Sequence, residues 1–291
     1  MNGSCRTIAF AGCSIAIDCD DADSTRIVER LYGHLPAAGG SIPPQAHFRL
    51  GRERRGGDFA LFCDETLEYR GPCQEMVAAM LLDRSVHQLA VAKRDGALLH
   101  AGCVARGGRA VLLPGESGAG KTTLTAWLAK HAFDYLTDEL VFLRSGSTSL
   151  EAFRRPLNVK RGAPRPVAAL LAAGDGDGIM NTPDGFLLSP AVFGQSTDAA
   201  EAEARLIVFP SYREGAQLAL QPISAARTAM RLLASLVNAR QLPEHGLAQT
   251  TYLALTLPAY TLTWGDLDQI GEPVRQRLER ALGTPRRVSG R

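Results

Sequence analysis

Residues 97–144, "ALLHAGCVARGGRAVLLPGESGAGKTTLTAWLAKHAFDYLTDELVFLR", decide how this chain is read. The apolar run through Arg106, the pair Gly107-Gly108 and the run Ala110–Pro114 read as strand, tight turn, strand. The second strand leads straight into "GESGAGKT", and a helix follows with Leu124, Trp127 and Leu128 at apolar spacing. "FDYLTDELVFLR" then reads as one strand that turns at "SGST". Gly115, Gly120, Lys121 and Thr122 satisfy G-x-x-x-x-G-K-[ST] once in the chain. Such a loop needs glycines because backbone N–H groups must turn inward around phosphate oxygens, where a β-carbon would obstruct them. A helix N-terminus adds its positive dipole end. Gly115, Glu116, Ser117, Gly118, Ala119, Gly120, Lys121, Thr122 and Thr123 are therefore the expected nucleotide-binding residues. Lys121 would reach the β/γ-phosphates and Thr122 would ligate Mg²⁺, which makes ATP and Mg²⁺ the expected cofactors.

Asp138 and Glu139 close the next apolar run, only 16 residues after Thr122. Strand ends at the crevice of an α/β sheet carry ligands, so these acids are expected beside the phosphates. There one would accept a hydroxyl proton and one would hold Mg²⁺ with Thr122. Transporter-type and ring-type ATPases place their acidic strand several times farther away. The short interval fits kinases that hold a small acceptor beside the γ-phosphate. Adjacent strand residues face opposite sides, so one acid of the pair is expected to reach the reaction centre directly. His100 sits 15 residues before Gly115 on the preceding strand and, taken alone, reads as a packed histidine.

The rest of the chain sets limits. Its 291 residues, 45% hydrophobic and 21% charged, can bury a real core, which excludes wholesale disorder. A net charge of +2 gives no general case for nucleic acid or an acidic membrane. Arginine is the default cation: Lys93, Lys121, Lys130 and Lys160 are the lysines among 32 basic residues. The six cysteines, at 5, 13, 19, 63, 73 and 103, form no Cys-x-x-Cys pair, so free thiols are expected and no zinc site is readable. No apolar run reaches membrane-span length and the N-terminus lacks a signal pattern, which reads as a soluble cytoplasmic protein.

Along the N-terminal third, "RTIAFAGCSIAID" favours strand. "DADSTRIVERLYGHL" favours a helix capped by Asp23 or Ser24, and "GRERRGGD" a hairpin tip between 46–51 and 58–63. Residues 72–92 read as a helix with Met76, Met80, Leu81, Val86 and Leu89 on its core face. Downstream come a loop-rich stretch (154–200), strands at 204–209 and "AQLALQPI", helices at 224–239 and 243–255, strand "AYTLTW", a helix at 266–282, and a basic tail expected to fray.

The stretch 97–144 resembles the HPr serine kinase/phosphorylase family, and more closely its HPr-kinase-related branch. The family pattern is a His on the strand ahead of the loop, a Ser-Gly pair inside the loop, and an Asp-Asp after a short helix. Here these are His100, Ser117-Gly118 and Asp138-Glu139. "RRPLNVK" (154–160), "LIVFPSYREGAQLALQPIS" (206–224) and "YTLTWGDLD" (260–268) also look like segments of that branch. The resemblance implies an α/β fold with a P-loop kinase core similar to the HPr kinase and phosphoenolpyruvate carboxykinase nucleotide domain. It implies a division into a small α+β N-terminal region (1–92), a P-loop domain (93–283) and a tail (284–291). It also implies a catalytic set of Asp138, Lys121, His100 and Glu139, transferring phosphate to a Ser or Thr hydroxyl of a small protein or ribosomally made peptide.

Glu139 stands where the family has a second Asp, and the Arg-Gly-Leu-Gly segment of HPr kinases is absent, which argues against HPr as acceptor and against phosphorolysis. Peptide serine kinases of the lasso-peptide type are one group in the branch, so a peptide-chaperone protein is a conceivable partner, and relatives often form homo-oligomers. Arg154, Arg155, Lys160 and Arg213 are the candidate cations for the acceptor side. Two other readings compete: a small-molecule kinase of shikimate-kinase type, and a non-catalytic ATP-binding switch or peptide chaperone. Neither nucleic acid nor membrane is an expected partner.

Overall fold

A computed structural model describes residues 4–36, 42–54, 56–92, 95–162, 167, 178–193 and 201–283. The tail 284–291 lies outside the described residues. The chain divides into two compact units, the first within Met1–Arg94, Arg155–Gly162 and Ala173–Thr197, the second within Asp95–Arg154, Ala163–Ala172 and Asp198–Arg291.

The first unit is built on a five-stranded sheet in the order β1 (Ser4–Phe10), β2 (Cys13–Cys19), β3 (His47–Arg52), β4 (Phe59–Cys63), β5 (Thr66–Gly71). The run read from sequence as strand is a hairpin: β1 and β2 pair antiparallel, and Ala11 and Gly12 turn with φ of 50° and 75°. β2 and β3 run parallel, joined across α1 (Ala22–Tyr32). The cap of α1 is Asp21, whose side chain accepts from Ser24 N at 2.8 Å. The expected cap, Asp23, instead pairs with Arg52 at 2.8 Å. The expected hairpin between β3 and β4 is present. In α2 (Gln74–Val91) the buried face is Val77, Ala78, Leu81, Leu82, Ser85 and Leu89, while Met76 and Met80 are half-buried at its rim. The stretch read as loop-rich contributes a three-stranded sheet to this unit, β11 (Leu157–Lys160), β13 (Gly185–Leu188) and β12 (Ile179–Thr182), all antiparallel. Arg30 of α1 donates to Ile179 O at 2.6 Å.

The second unit holds the glycine-rich loop. Its eight-stranded sheet runs β10 (Ser149–Ala152), β9 (Leu140–Arg144), β6 (Gly96–Arg106), β7 (Arg109–Pro114), β14 (Glu201–Tyr212), β16 (Ala259–Trp264), β15 (Ala219–Pro222), with β8 (Asp134–Thr137) also paired to β6. Gly107 and Gly108, with φ of 57° and 73°, make the two-residue turn between β6 and β7. β7, β14 and β16 are parallel.

Helices cover both faces. On one, α3 (Lys121–Lys130) and α6 (Leu267–Gly283) bury Leu124, Trp127, Leu128, Val274 and Leu278 against Val104, Val111, Leu113 and Val208. On the other, α4 (Ala225–Ala234) and α5 (Leu247–Thr256) bury Leu232 and Leu253 against Leu99, Cys103, Leu112 and Phe209. The helix expected over 224–239 stops at Ala234, because residues 235–238 do something else: they pair with β6. No described helix is long and apolar enough to cross a membrane.

Candidate functional site

The loop begins where β7 ends. Gly118 and Gly120 have φ of 84° and 92°, a region where an L side chain is strained. A β-carbon on Gly120 would also lie 2.8 Å from the Trp264 ring and 3.0 Å from Tyr212 Cβ, so two aromatic residues close the back of the loop. Tyr212 N donates to Ala119 O at 3.1 Å and holds the same segment. Glu116, Ser117 and Gly118 are exposed. Lys121 is buried, and its Nζ donates to Gly115 O at 2.6 Å and Glu116 O at 3.0 Å. Its amine is thus folded back along the loop's own carbonyls. Thr122 and Thr123, in the first turn of α3, are half-buried.

As expected, the acidic pair stands at a strand end, directly after β8 and directly before β9. Cys103 pairs with Thr137 and His100 with Leu140, three residues on along both strands, so β8 and β9 are one register along β6. The chain bends out of the ladder at Asp138 and Glu139, which makes two strands of the segment read as one. Ala101 N still donates to Glu139 O at 3.1 Å, and Ala101 pairs on its other side with Pro114. Pro114, Ala101 and Glu139 therefore stand abreast across three strands, about 10 Å from first to last at the usual strand spacing. The end of β7 that launches the loop and the bend that carries the acids are at the same level of the sheet.

The bend also sets what each acid touches. A regular ladder would put Glu139 on the face of Ala101, away from His100. Instead His100 Nδ1 and Glu139 Oε1 are 3.0 Å apart. Asp138, 5% exposed, accepts from Tyr135 Oη at 3.4 Å. Asp138 is level with Gly102, where a β-carbon would collide with Thr125 Oγ1, so α3 lies directly against this part of the sheet. Thr122 precedes Thr125 by one turn on the same helix face. The two carboxylates have different partners, which the bend and not strand alternation sets.

A brace holds His100 from the other side. His100 N donates to Ser235 O and Val237 N to Leu98 O, both at 2.8 Å. Asn238, fully buried, accepts from Leu98 N at 2.9 Å and donates to Gly96 O at 3.0 Å. Residues 235–238 thus occupy the edge of β6 that β7 vacates when it turns into the loop.

Of the candidate cations, Lys160 and Arg213 are exposed, and Arg154 and Arg155 are buried. Sequence reasoning missed Tyr135, Asn238 and Arg231. Tyr135 meets Asp138 only three residues on, whereas Asn238 and Arg231 gain their places through residues far along the chain, which no local pattern marks. Among the described residues no three His, Cys, Asp or Glu side chains are grouped to hold a metal ion. All six cysteines are free thiols, and burial pushes the Cys103 thiol well above its ordinary range.

No family model matches the chain, and no curated protein matches it. Among solved structures, the HPr(Ser) kinase/phosphatase from Coxiella burnetii is similar over 63% of this chain and 95% of its own, with 14% identity and a TM-score of 0.31. So loose a likeness adds no weight to a functional reading.

Proposed function

We propose that this chain is an ATP-dependent phosphotransferase that phosphorylates a Ser or Thr hydroxyl on a small protein or ribosomally made peptide. The observation that carries the reading is the alignment of Pro114, Ala101 and Glu139 across three strands, which brings a phosphate-loop sequence and an acidic pair to one level of one sheet. The loop suits a polyphosphate: its positive-φ glycines turn N–H groups inward, and α3 adds its dipole end.

Lys121 exchanges its loop carbonyls for the β/γ-phosphates of the nucleotide and neutralises charge on the transferring phosphoryl. Asp138 accepts the proton of the incoming hydroxyl. The hydroxyl oxygen bonds to the γ-phosphorus as the bond to the β,γ-bridging oxygen breaks, and ADP leaves. Glu139 orients His100 through the 3.0 Å contact between its Oε1 and the imidazole Nδ1. Thr122 and one of the two acids would hold a magnesium ion, which would supply further neutralisation of phosphate charge.

The test is phosphate transfer from γ-labelled Mg·ATP, with wild type, Lys121→Ala and Asp138→Asn incubated with a lysate of the source cells. A small protein or peptide labelled only by wild type supports the reading. ATP binding with no labelled macromolecule overturns the acceptor class in favour of a small-molecule kinase or a nucleotide switch. Transfer undiminished in Lys121→Ala removes the loop from the site altogether.

A further inference from the structure

Arg231 projects from α4 at the sheet end where the loop begins. Its guanidinium carbon stacks 4.1 Å from the centre of the Phe209 ring, and Nη1 donates to Thr261 Oγ1 at 3.1 Å. Ile207 pairs with Leu112, so Phe209, two residues on, lies beside Pro114, the last residue before the loop. Pro210 touches Gly115 itself: a β-carbon there would sit 3.7 Å from Pro210 Cδ. Thr261, opposite Phe209 on β16, completes the same strand-end platform.

The rest of the guanidinium is idle. Among the described residues Arg231 is in no ion pair and its remaining N–H groups have no hydrogen-bond partner. Other half-buried arginines differ: Arg6 pairs with Glu29, Arg52 with Asp23 and Arg84 with Glu68, at 2.9, 2.8 and 2.7 Å. A guanidinium fixed by a ring face and one hydroxyl, in no ion pair among the described residues and partly withdrawn from water, is preorganised for an anion. Burial lowers its pKa, and the charge that pushes back is the Glu116 carboxylate, in the second residue of the loop. Glu116 O is one of the two carbonyls that hold the Lys121 amine. Phe209 beside Pro114 and Pro210 against Gly115 put Arg231 near the start of the loop, where the Lys121 amine donates to Gly115 O, the end that meets the terminal phosphates.

We propose that Arg231 contacts the γ-phosphate of the bound nucleoside triphosphate, as a cation supplied within the chain, and so distinguishes triphosphate from diphosphate. This rests on the reading of the loop as a nucleotide site. The experiment measures Kd for Mg·ATP and Mg·ADP on wild type, Arg231→Gln, Arg231→Lys and Lys121→Ala, with melting temperatures alongside. Losing a charge-assisted fork should weaken Mg·ATP about 10–100-fold in Arg231→Gln. Mg·ADP should change less than about 3-fold, and Arg231→Lys should fall between. Equal weakening of both nucleotides, or of neither, overturns the assignment. Should Arg231→Gln fail to fold, Arg231→Lys decides by the same ratio. The two readings fail differently. If Lys121→Ala weakens both nucleotides while the Arg231 variants keep the wild-type ratio, only Arg231 is misassigned. If wild type binds neither, or Lys121→Ala binds as wild type does, the nucleotide site falls and Arg231 with it.

Discussion

The loop at 115–122 and the bend at 138–139 stand at one level of one sheet, yet they are made in opposite ways. The loop is local. Its shape follows from Gly118 and Gly120 at positive φ and from a helix that starts at once, so eight consecutive residues describe it. The bend is nonlocal. Asp138 and Glu139 depart from the ladder only because β8 and β9 are held in register on both sides of them by β6, more than 30 residues earlier. Where a site is made by backbone conformation, substitutions act through glycine. Where it is made by pairing, they act through whatever fixes the register.

The largest effect is expected at the bend. Asp138→Asn keeps the size and the Tyr135 bond but removes the proton acceptor, and a general base contributes about 10²–10⁴-fold to rate. We expect kcat to fall by that factor while ATP affinity stays within a few-fold, measured by single-turnover transfer and nucleotide titration. Lys121→Ala should reduce kcat and nucleotide affinity together. Were Asp138→Asn to lose ATP binding and keep its rate, the division of labour between bend and loop would be the reverse of the one drawn above.

Gly120→Ala comes next and probes the local half. It meets both a positive φ and the Trp264 and Tyr212 side chains. Left-handed strain costs about 1–2 kcal/mol. Overpacking adds about 1–3 kcal/mol. The variant should melt at lower temperature and bind Mg·ATP weakly even where it is folded. Wild-type affinity would show that the loop reshapes freely and that its resting form is irrelevant to binding.

These two regions also mark what could be read in advance. The strand–loop–helix unit was legible because each step has a local cause: the Gly107-Gly108 turn, the phosphate-loop pattern and the apolar spacing of Leu124, Trp127 and Leu128. So were β14, β16 and α6. The acid pair was legible as residues, but its setting was not. Nothing in "YLTDEL" shows that Glu139 would leave its face to meet His100, since that depends on a bend within a pairing with β6. The sheet formed by β11, β12 and β13 was hidden for a related reason. Its strands are four residues each, too short for alternation to stand out from a Pro- and Gly-rich background. The cap of α1 is Asp21, two residues ahead of Asp23, because Asp21 also accepts from Arg52 N, a tertiary contact that Asp23 and Ser24 do not supply.

Asn238 tests the nonlocal half by stability. Its amide stands in for a strand, serving Leu98 N and Gly96 O in a fully buried place. Asn238→Ala leaves both without a partner, at about 1–3 kcal/mol each. Chemical denaturation should show that loss, and kcat should fall with it, because residues 235–238 hold the backbone of His100. A destabilised protein with unchanged kcat would detach the brace from the chemistry and weaken the claim that register builds this part of the site.

The smallest effect belongs to Gly118→Ala, and it separates two reasons for a loop glycine. Gly118 shares with Gly120 a positive φ, 84° against 92°, but a β-carbon at Gly118 meets nothing within 4 Å. Only the backbone strain remains, about 1–2 kcal/mol. Part of it is offset because alanine restricts the unfolded chain, by about 0.4–1 kcal/mol. The net change in stability should therefore be below about 1.5 kcal/mol. If the glycines matter only for the resting conformation, Gly118→Ala will bind Mg·ATP nearly as wild type does. If instead the loop's N–H groups must approach the phosphates without a β-carbon in the way, affinity will fall far more than stability. The difference between the two losses, absent at Gly120 where both are large, measures how closely the backbone itself touches the ligand.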